Sequence, residues 1–398
     1  MSQGLNQLID GLWAEGVAHL GTVKCNSNYA QLVVSVVGDV GQLLKARHLV
    51  PDGRVKELGN LLGHASRLTL VPVTAEVAQA IRASARVVSI PMRTRFRGVE
   101  SREALLFEGP NGWAEWSPFL EYSDDEAVVW LAAAAEFAFD AMPPALRTRI
   151  GVNATLPAVS PNLVADTLAP FGEFRTVKIK VAEKGQNLND DLQRIFQVRK
   201  LYPEARIRLD ANGGFTVDLA ATLGAALFEN GIPLDYFEQP VATVAELADV
   251  KVRLNRLGIK VAADESVRKA SDPLAVARAG AADLLVVKVA PLGGVTRALQ
   301  IVAEAGLPAV VSSALDTSIG ISMGLHLAAS LPSLEYDCGL GTVALLTDDI
   351  CDQPLIPVNG YLDVTRVAPN AQKLAQLAAR PERTQWWLDR LERCLALN

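Results

Sequence analysis

The chain has 398 residues, enough for more than one domain and for a large buried core. Hydrophobic residues make up 50% of it and charged residues 21%, the ordinary balance of a globular α/β protein. A net charge of −6, without a run of Lys and Arg, gives no reason to expect a nucleic-acid partner. The four cysteines lack the spacing of a zinc site or of a disulfide framework.

Residues 1–84 are predicted to be an N-terminal extension whose role the sequence does not indicate. Residues 4–21 have the pattern of a short amphipathic helix, and residues 30–44 that of a strand followed by a helix. The first residues lack the basic stretch and apolar core of a signal peptide, and no apolar run reaches the roughly 18 residues of a membrane span. The sequence therefore predicts a cytoplasmic protein without a membrane partner.

An α+β unit is predicted over residues 85–148. Residues 85–98 indicate a strand and residues 102–119 a hairpin. Residues 124–142 indicate a helix, because three acidic residues occupy its first turn, where the helix dipole favours negative charge. Residues 341–398 end in an amphipathic helix, which we expect to pack back on this unit.

Short apolar segments alternate with helical ones between residues 149 and 340. Eight candidate strands lie near residues 150–157, 175–182, 205–212, 234–240, 259–266, 282–289, 308–315 and 334–339. Strands that alternate with helices, one repeat each, predict a (β/α)8 barrel. An open doubly wound sheet fits the same count, but it would gather its ligand site at one switch point.

A charged residue closes each of five consecutive predicted strands. The five are Lys180, Asp210, Glu238, Asp264 and Lys288, with steps of 30, 28, 26 and 24 residues (210−180, 238−210, 264−238 and 288−264). A strand with its helix takes about 25–30 residues, so each charge ends one repeat. In a barrel those strand ends form the rim that carries catalytic residues, which favours the barrel over the open sheet.

Three of these charges are carboxylates, Asp210, Glu238 and Asp264, on adjacent predicted strands. They would repel one another unless a cation lay between them. Ligands that are all oxygen favour a hard ion, Mg²⁺ before Mn²⁺. The alternative is three separate surface ion pairs, which the placement at three successive strand ends disfavours.

The lysines suit proton transfer. Lys178 lies two residues before Lys180, so both point to the same side of the second strand. Lys288 ends the sixth strand, which is diametrically opposed in a ring of eight. Repulsion within the pair, and a nearby metal, should lower one lysine pKa, as a general base requires. The sequence thus predicts removal of a proton beside a metal-bound carboxylate to give an enediolate; the alternative is a lysine pair that merely binds buried carboxylates.

The motifs K-x-K, D-x-N, E-Q-P and D-E-S, with the lysine on the sixth strand, resemble the muconate-lactonising subgroup of the enolase superfamily. The resemblance covers about residues 85–365. It implies a modified (β/α)7β TIM-like barrel over residues 149–340 and an α+β capping domain formed by residues 85–148 and completed by residues 341–398.

The same resemblance implies a role for each charged residue. It assigns the base, the lysine beside it, the lysine opposite and the three ligands of Mg²⁺ to Lys180, Lys178, Lys288, Asp210, Glu238 and Asp264. Within the subgroup, the segments IPMRTRFRGVESREALLF, GWAEWSPF and VVSSALDTSIGIS are most similar to a dehydratase of the menaquinone pathway. That enzyme converts a cyclohexadiene carboxylate into an aromatic ring.

Substrate contacts are predicted at the seventh and eighth strands, at the D-x-N motif and in the capping region. The serines and a glycine would present hydroxyl or backbone groups to a carboxylate, and the arginines suit a dianion. The candidates are Ser312, Ser313, Asn212, Arg95, Arg97, Gly339 and Leu340. Ordinary strand-end serines, solvated arginines and a plain glycine turn are the alternatives.

Two other enzyme types and one binding module stay open. A mandelate-racemase-like enzyme would need a histidine on the seventh strand, but His326 falls in the following helix. Racemisation or epimerisation of an N-acylamino acid or dipeptide would use the same lysines, although Glu335 and Asp337 only approximate the expected D-x-D motif. A non-catalytic barrel would have lost a lysine or a carboxylate, and none is missing. The expected partner is a small-molecule carboxylate; a monomer and a homo-oligomer are both compatible with the sequence.

Overall fold

The computed structural model describes the backbone of residues 21–24, 31–36, 44–49 and 55–58, and residues 73–96, 98–268 and 272–397 with their side chains. The chain separates into two units, residues 1–69 and 70–398. The first unit contains an antiparallel sheet in chain order, with strands β1 (Gly21–Lys24), β2 (Gln31–Val36), β3 (Leu44–Leu49) and β4 (Val55–Leu58). Strand β2 matches the strand predicted within residues 30–44. The helix predicted after this strand lies mostly outside the described residues. The helix predicted over residues 4–21 lies almost wholly outside them.

The second unit begins with an α+β region built on an antiparallel sheet. Its elements are α1 (Ala75–Ser84), β5 (Arg86–Phe96), β6 (Val99–Gly109), β7 (Gly112–Trp116) and α2 (Asp124–Phe139). The predicted strand, hairpin and helix are therefore present. Helix α2 begins at a capping box, in which Ser123 and Glu126 bond each other's backbone N–H groups. Its alanine-rich sequence is apolar on nearly every side, and it packs between the sheet and the barrel.

A parallel barrel follows. In the described part of the chain seven strands form its wall in chain order: β9 (Ala154–Leu156), β10 (Thr176–Lys180), β11 (Arg206–Asp210), β12 (Leu234–Glu238), β13 (Val261–Ala263), β14 (Leu284–Val287) and β15 (Ala309–Val311). The helices that follow these strands are α3 (Val164–Leu168), α4 (Leu188–Leu201), α5 (Val217–Glu229), α6 (Val244–Asn255), α7 (Glu265–Arg268), α8 (Ala275–Arg278), α9 (Val289–Leu292), α10 (Val295–Ala305) and α11 (Ser318–Ser330).

Backbone hydrogen bonds close the wall into a ring. Cys338 pairs with Val152 beside β9, and Gly339 pairs with Ser312 beside β15, both in the parallel sense. The N–H of Asn153 donates to the carbonyl of Cys338 at 2.9 Å, and that of Gly339 donates to Val311 at 2.8 Å. This segment is the eighth member of the ring, so the open sheet is excluded. The predicted modified (β/α)7β barrel with an α+β capping region is confirmed.

The end of the chain returns to the α+β region. The remaining elements are β8 (Arg149–Gly151), β16 (Tyr361–Asp363), α12 (Ala371–Gln376) and α13 (Pro381–Ala396), with β8 and β16 paired. Helix α13 packs on α2 and β5, and the Trp387 ring meets the Trp116 ring edge to face at 5.4 Å. Helix α1, inside the predicted extension 1–84, lies in the second unit against β6. The division at residues 84, 148 and 340 stays a prediction.

Strand register aligns the charged side chains. Lys180 pairs with Asp210 across β10 and β11, and Asp210 pairs with Glu238 across β11 and β12. Each residue is the last of its strand. Because parallel strands in register end at one rim, these side chains are brought to the same end of the barrel.

No helix in residues 73–96, 98–268 or 272–397 is long and apolar enough to cross a membrane.

Candidate active site

Three carboxylates lie on neighbouring strands at the rim. Asp210 and Glu238 end β11 and β12, and Asp264 directly follows β13. All three are at most 1% exposed. Gln239, with a positive φ of 35°, turns its side chain back so that its Oε1 accepts from the N–H of Asp264 at 3.1 Å. This contact fixes the third acid beside the second.

Two lysines of β10 bind these acids from one flank. Nζ of Lys178 lies 3.0 Å from Oε2 of Glu238 and 3.3 Å from Oδ2 of Asp210. Nζ of Lys180 lies 2.5 Å from Oδ2 of Asp210 and 2.6 Å from Oδ1 of Asn212. Lys178 is therefore held between two carboxylates, whereas Lys180 reaches one carboxylate and one neutral amide.

Lys288 approaches from the other flank. It follows β14, and its Nζ lies 2.6 Å from Oδ2 of Asp264. Oδ1 of the same acid accepts from Nε of Arg268 at 2.9 Å, and Arg268 also donates to the hydroxyl of Tyr122 at 2.7 Å. Strands β10 and β14 are the second and sixth of eight in the ring, so Lys180 and Lys288 lie on opposed sides, as predicted from the spacing.

These contacts separate the proton affinities of the lysines. Burial lowers the pKa of Lys180, and the positive charge of Lys178 lowers it further against the attraction of Asp210. Burial also disfavours the charged form of Lys178, but the carboxylates of Glu238 and Asp210 outweigh burial and raise its pKa. Burial lowers the pKa of Lys288. Lys178 therefore holds its proton more strongly than Lys180 does.

The pKa values of the three acids reflect their burial and the charges around them. Burial, and next the charge of Asp210, raise the pKa of Glu238 to about 7. The charges of Lys180 and Lys178 outweigh burial at Asp210 and lower its pKa. The charges of Arg268 and Lys288 outweigh burial in the same way and lower the pKa of Asp264. A cation beside Glu238 would relieve the repulsion that raises its pKa.

The donor set fits a hard divalent cation in its chemistry, although its present arrangement does not form a closed site. Among residues with described side chains, no group of three His, Cys, Asp or Glu is arranged to hold a metal ion. The Nζ atoms of the three lysines contact the carboxylate oxygens. The buried Oε2 of Glu265, next to Asp264, also has no hydrogen-bond partner in the described ranges. A bound cation would have to replace lysine contacts at the oxygens of Asp210, Glu238 and Asp264.

A cavity opens beside these groups at the mouth of the barrel. The lysines and several predicted contact residues line it together: Lys178, Lys180, Lys288, Asp210, Asn212, Ser312, Ser313 and Gly339. Oγ of Ser313 donates to the carbonyl of Gly339 at 2.8 Å. A Cβ at Gly339 would lie 2.5 Å from Oγ of Ser312, so a larger residue there would displace the Ser312 hydroxyl. The predicted placement of these residues at one mouth agrees with the geometry.

Two predicted contact residues with described side chains do not line this cavity, and the position of a third is not described. Arg95 is exposed, because alternation along β5 turns the next residue, Phe96, inward instead. Arg97 lies outside the described residues. Leu340 is buried against Gly324, where a Cβ would lie 2.6 Å from its side chain. The predicted substrate contacts at these positions stay predictions.

The cavity also contains residues that sequence patterns did not indicate. They are Phe96, Phe119, Thr155, Ala314, Leu315 and Thr342. Phe96 and Phe119 come from the α+β region, and Nζ of Lys180 lies 5.3 Å from the centre of the Phe96 ring. The only sequence signal for these two residues was the phenylalanine that ends each of the segments RTRF and WSPF. Thr155 lies between Ala154 and Leu156 in β9. Its only sequence signal was a polar residue within a short predicted strand.

Two alternative motifs lie away from the cavity. The carboxylate of Asp337 accepts from Thr176 at 2.7 Å and from Arg206 at 2.7 Å. Those residues begin β10 and β11, at the barrel end opposite Lys180, and Glu335 is exposed. His326 lies in α11, with Nδ1 2.8 Å from the carbonyl of Ser322. Neither the approximate D-x-D motif nor a histidine base is present at the mouth formed by the described residues.

Acids on three adjacent strands, lysines on the two flanks and a covering α+β region define a class of barrel enzymes. Residues 163–369 match the family described as enolase C-terminal domain-like, and residues 87–138 match enolase N-terminal domain-like. The chain belongs to the enolase superfamily.

Individual relatives are more specific than the family. The chain is 52% identical over 312 residues to the o-succinylbenzoate synthase of Mycobacterium ulcerans, covering 78% of this chain and 93% of that protein. It is 51% identical over 311 residues to the o-succinylbenzoate synthase of Mycobacterium tuberculosis, with the same shares covered.

Solved structures share the fold at lower identity. Muconate lactonizing enzyme from Pseudomonas fluorescens, complexed with muconolactone, has a TM-score of 0.63 at 20% identity, covering 74% of this chain and 98% of that one. The L-Ala-D/L-Glu epimerase from Bacillus subtilis has a TM-score of 0.61 at 21% identity, covering 72% of this chain and 96% of that one. These structures carry different reactions on one fold, so the fold does not choose among the reactions.

Proposed function

We propose that the chain is an o-succinylbenzoate synthase, a lyase of menaquinone biosynthesis. It would dehydrate 2-succinyl-6-hydroxy-2,4-cyclohexadiene-1-carboxylate to 2-succinylbenzoate with syn geometry, through an enediolate. The observation that carries the proposal is that Lys180 and Lys288 line one cavity from opposed strands. The relatives of that name, 51–52% identical over 93% of their length, support the choice of substrate.

Enzymes of this superfamily use a divalent cation. For this chain we propose Mg²⁺, with Mn²⁺ as a substitute, held by Asp210, Glu238 and Asp264, because oxygen ligands suit hard ions. When bound, the cation would hold the substrate carboxylate and offset the negative charge that develops on it.

Lys180 is the proposed base. Burial and the charge of Lys178 favour its neutral form, whereas Lys178 stays an ammonium between two carboxylates. Lys180 takes the proton beside the substrate carboxylate, and the ammonium of Lys288 stabilises the enediolate from the opposite face. Lys180 then returns the proton to the departing hydroxide, which leaves as water. One lysine handles the proton twice, so the hydrogen and the hydroxyl leave from the same face.

Substrate recognition is proposed for the groups around the cavity. Ser312, Ser313, Asn212 and Gly339 supply hydroxyl, amide and backbone groups at one wall, which suit hydrogen bonds to a carboxylate. Phe96 and Phe119 supply apolar surface for a six-membered ring. A small-molecule carboxylate as partner, and a cytoplasmic location, remain predictions.

The second candidate function is racemisation of an N-acylamino acid or epimerisation of a dipeptide. The presence of both opposed lysines favours it, since such a reaction needs an acid on one face and a base on the other. The position of Asp337 at the far end of the barrel counts against a dipeptide substrate, whose amino group would need an acid at the mouth.

A competition assay tests the proposal. The purified chain with Mg²⁺ is offered the cyclohexadiene carboxylate and an N-succinylamino acid side by side in deuterated water. We expect 2-succinylbenzoate to form from the first substrate. Turnover of the amino acid alone would overturn the synthase assignment, and absence of both product and deuterium incorporation would indicate a binding module.

A further inference from the structure

The loop between β15 and α11, residues 312–317, forms one wall of the substrate cavity in a strained conformation. Ser312, Ala314 and Leu315 line the cavity. The backbone of Leu315 has a φ of +63°, in the left-handed region that a bulky side chain rarely adopts. Strain of this kind persists only where surrounding contacts hold it.

Arg102 holds this loop from the α+β region. Its side chain, on β6, is buried, and its Nε donates to the carbonyl of Leu315 at 3.0 Å. Its Nη2 donates to Oγ of Ser117 at 2.8 Å and to the Ser117 carbonyl. The guanidinium also lies over the Phe119 ring at 4.8 Å, and Phe119 faces the cavity. One planar group therefore bonds the strained residue and orients an aromatic wall residue.

Glu115 of β7 holds the other end of the loop. Its Oε2 accepts from the N–H of Thr317 at 3.0 Å, from the Thr317 hydroxyl at 2.6 Å and from the N–H of Gly320 at 3.1 Å. Its Oε1 accepts from Oγ of Ser117 at 2.6 Å. A Cβ at Gly320 would lie 2.9 Å from Oε2, so the sequence leaves room for this carboxylate at the start of α11. Ser117 joins the two anchors.

We propose that Arg102 and Glu115 are positioning residues that hold the 312–317 loop in the strained form and thereby shape the substrate cavity. Neither residue touches the proposed reacting atoms; Arg102 acts through Leu315 and Glu115 through Thr317. The named substrate rests on the proposed function, whereas the anchoring of the loop does not. These two residues of the α+β region thus set the shape of the cavity wall that the 312–317 loop presents to a ligand.

The first test replaces Arg102 with Met, which keeps the length and removes the donors. If the loop adopts its bound form only a tenth of the time, KM for the cyclohexadiene carboxylate rises about tenfold. We expect kcat to change less than about threefold, because the lysines lie on other strands. Arg86→Met, an exposed change on the same sheet whose guanidinium bonds only the neighbouring Ala85 carbonyl among the bonds described, is the matched control.

The second test asks whether Arg102 acts by holding Leu315 in its strained backbone conformation. Glycine adopts a positive φ without cost, so in a Leu315→Gly background the loop no longer needs Arg102 to hold that conformation. We expect Arg102→Met to raise KM less than about threefold in that background, against about tenfold alone. An equal rise in both backgrounds would overturn the proposal.

Hydrogen exchange of the backbone provides a readout that needs no substrate. We expect Arg102→Met and Glu115→Gln to speed exchange at residues 315–320 while β10 and β11 stay protected. Unchanged exchange there would overturn the anchoring even if KM rose. Should Arg102→Met not fold, Arg102→Lys decides the same question, because lysine cannot donate to Leu315 and Ser117 in the fork geometry. A wild-type chain that never turned over the cyclohexadiene would refute the proposed function and leave the exchange test valid.

Discussion

Lys178 and Lys180 carry the same side chain on the same face of one strand, yet their surroundings drive their pKa values apart. Lys178 lies between Glu238 and Asp210, which favour its charged form. Lys180 has one carboxylate, the amide of Asn212 and a positive neighbour, and burial dominates its shift. A pair separated in this way supports the proposal that Lys180 is the general base.

Replacement of Lys180 should therefore be far more costly than loss of a surface charge. We expect Lys180→Ala to lower kcat about a thousandfold, since general-base catalysis contributes roughly 10²–10⁴. Lys184→Ala, an exposed lysine in the loop after the same strand, should leave kcat unchanged. Steady-state kinetics checks both, with circular dichroism to establish folding. A Lys180→Ala enzyme with near wild-type kcat would assign the base to another residue.

Glu115 predicts a pH dependence of stability. Burial, and next the charge of Asp316, raise its pKa from an ordinary 4.5 to about 7, against the opposing charge of Arg102. The folded chain thus keeps a proton that the unfolded chain releases. The resulting stabilisation is complete below pH 4.5 and is lost as the pH rises through 7, up to about 3 kcal/mol.

The measurement compares thermal unfolding of the wild type and Glu115→Gln between pH 5 and 8. Glutamine cannot titrate, so the stability of the wild type relative to the variant should fall across this range. A constant difference would mean that Glu115 does not gain a proton on folding.

At the scale of elements, helix α10 begins at a carboxylate supplied by another helix. Glu136 of α2 accepts from the N–H of Val295 at 2.5 Å and from that of Thr296 at 3.0 Å. These are free donors of the first turn, where a negative charge also complements the helix dipole. The contact ties α2 to the turn that follows Lys288.

Removal of this cap should weaken the folded state modestly. We expect Glu136→Ala to lower the free energy of unfolding by about 1 kcal/mol, the usual value of an N-terminal cap. Glu121→Ala, an exposed acid ahead of the same helix, should change it by less than about 0.5 kcal/mol. Urea denaturation measures both. Equal effects would show that the cap contributes nothing beyond a surface charge.

Elements also show what a sequence can predict. Charges at intervals of one repeat predicted that Lys180, Asp210 and Glu238 end adjacent strands, because strand period and register follow local patterns. The hydrogen bond from Arg102 to Leu315 could not be predicted, because the two residues are 213 positions apart. The positive φ of Leu315, which this contact accompanies, could not be predicted either. Arg95 was assigned to the site from its charge, although strand alternation turns Phe96 inward instead.

At the scale of the whole molecule, the cavity and its supports belong to one unit. The described residues that line the cavity, and the helices that anchor its loops, lie between residues 70 and 398. The barrel and its covering region share a continuous core there. A unit with its own core can fold independently.

A chain that starts at residue 73 should therefore stay active. We expect its kcat/KM for the cyclohexadiene carboxylate to stay within about threefold of the full chain, with a similar unfolding temperature. Kinetics and calorimetry on both chains provide the check. A large loss of activity would give residues 1–72 a part in catalysis.

The α+β region is assembled from two distant stretches, because α13 supplies Trp387 to Trp116 and Arg383 to Glu103, with N–O distances of 2.6–3.1 Å in the ion pair. Translation runs from the amino end to the carboxyl end, so on the ribosome the lysines and acids of the barrel emerge well before this helix. A nascent chain would have Trp116 uncovered and Glu103 without its arginine until α13 left the exit tunnel. The packing of the α+β region, which supplies Phe96 and Phe119 to the cavity, is thus completed last in synthesis.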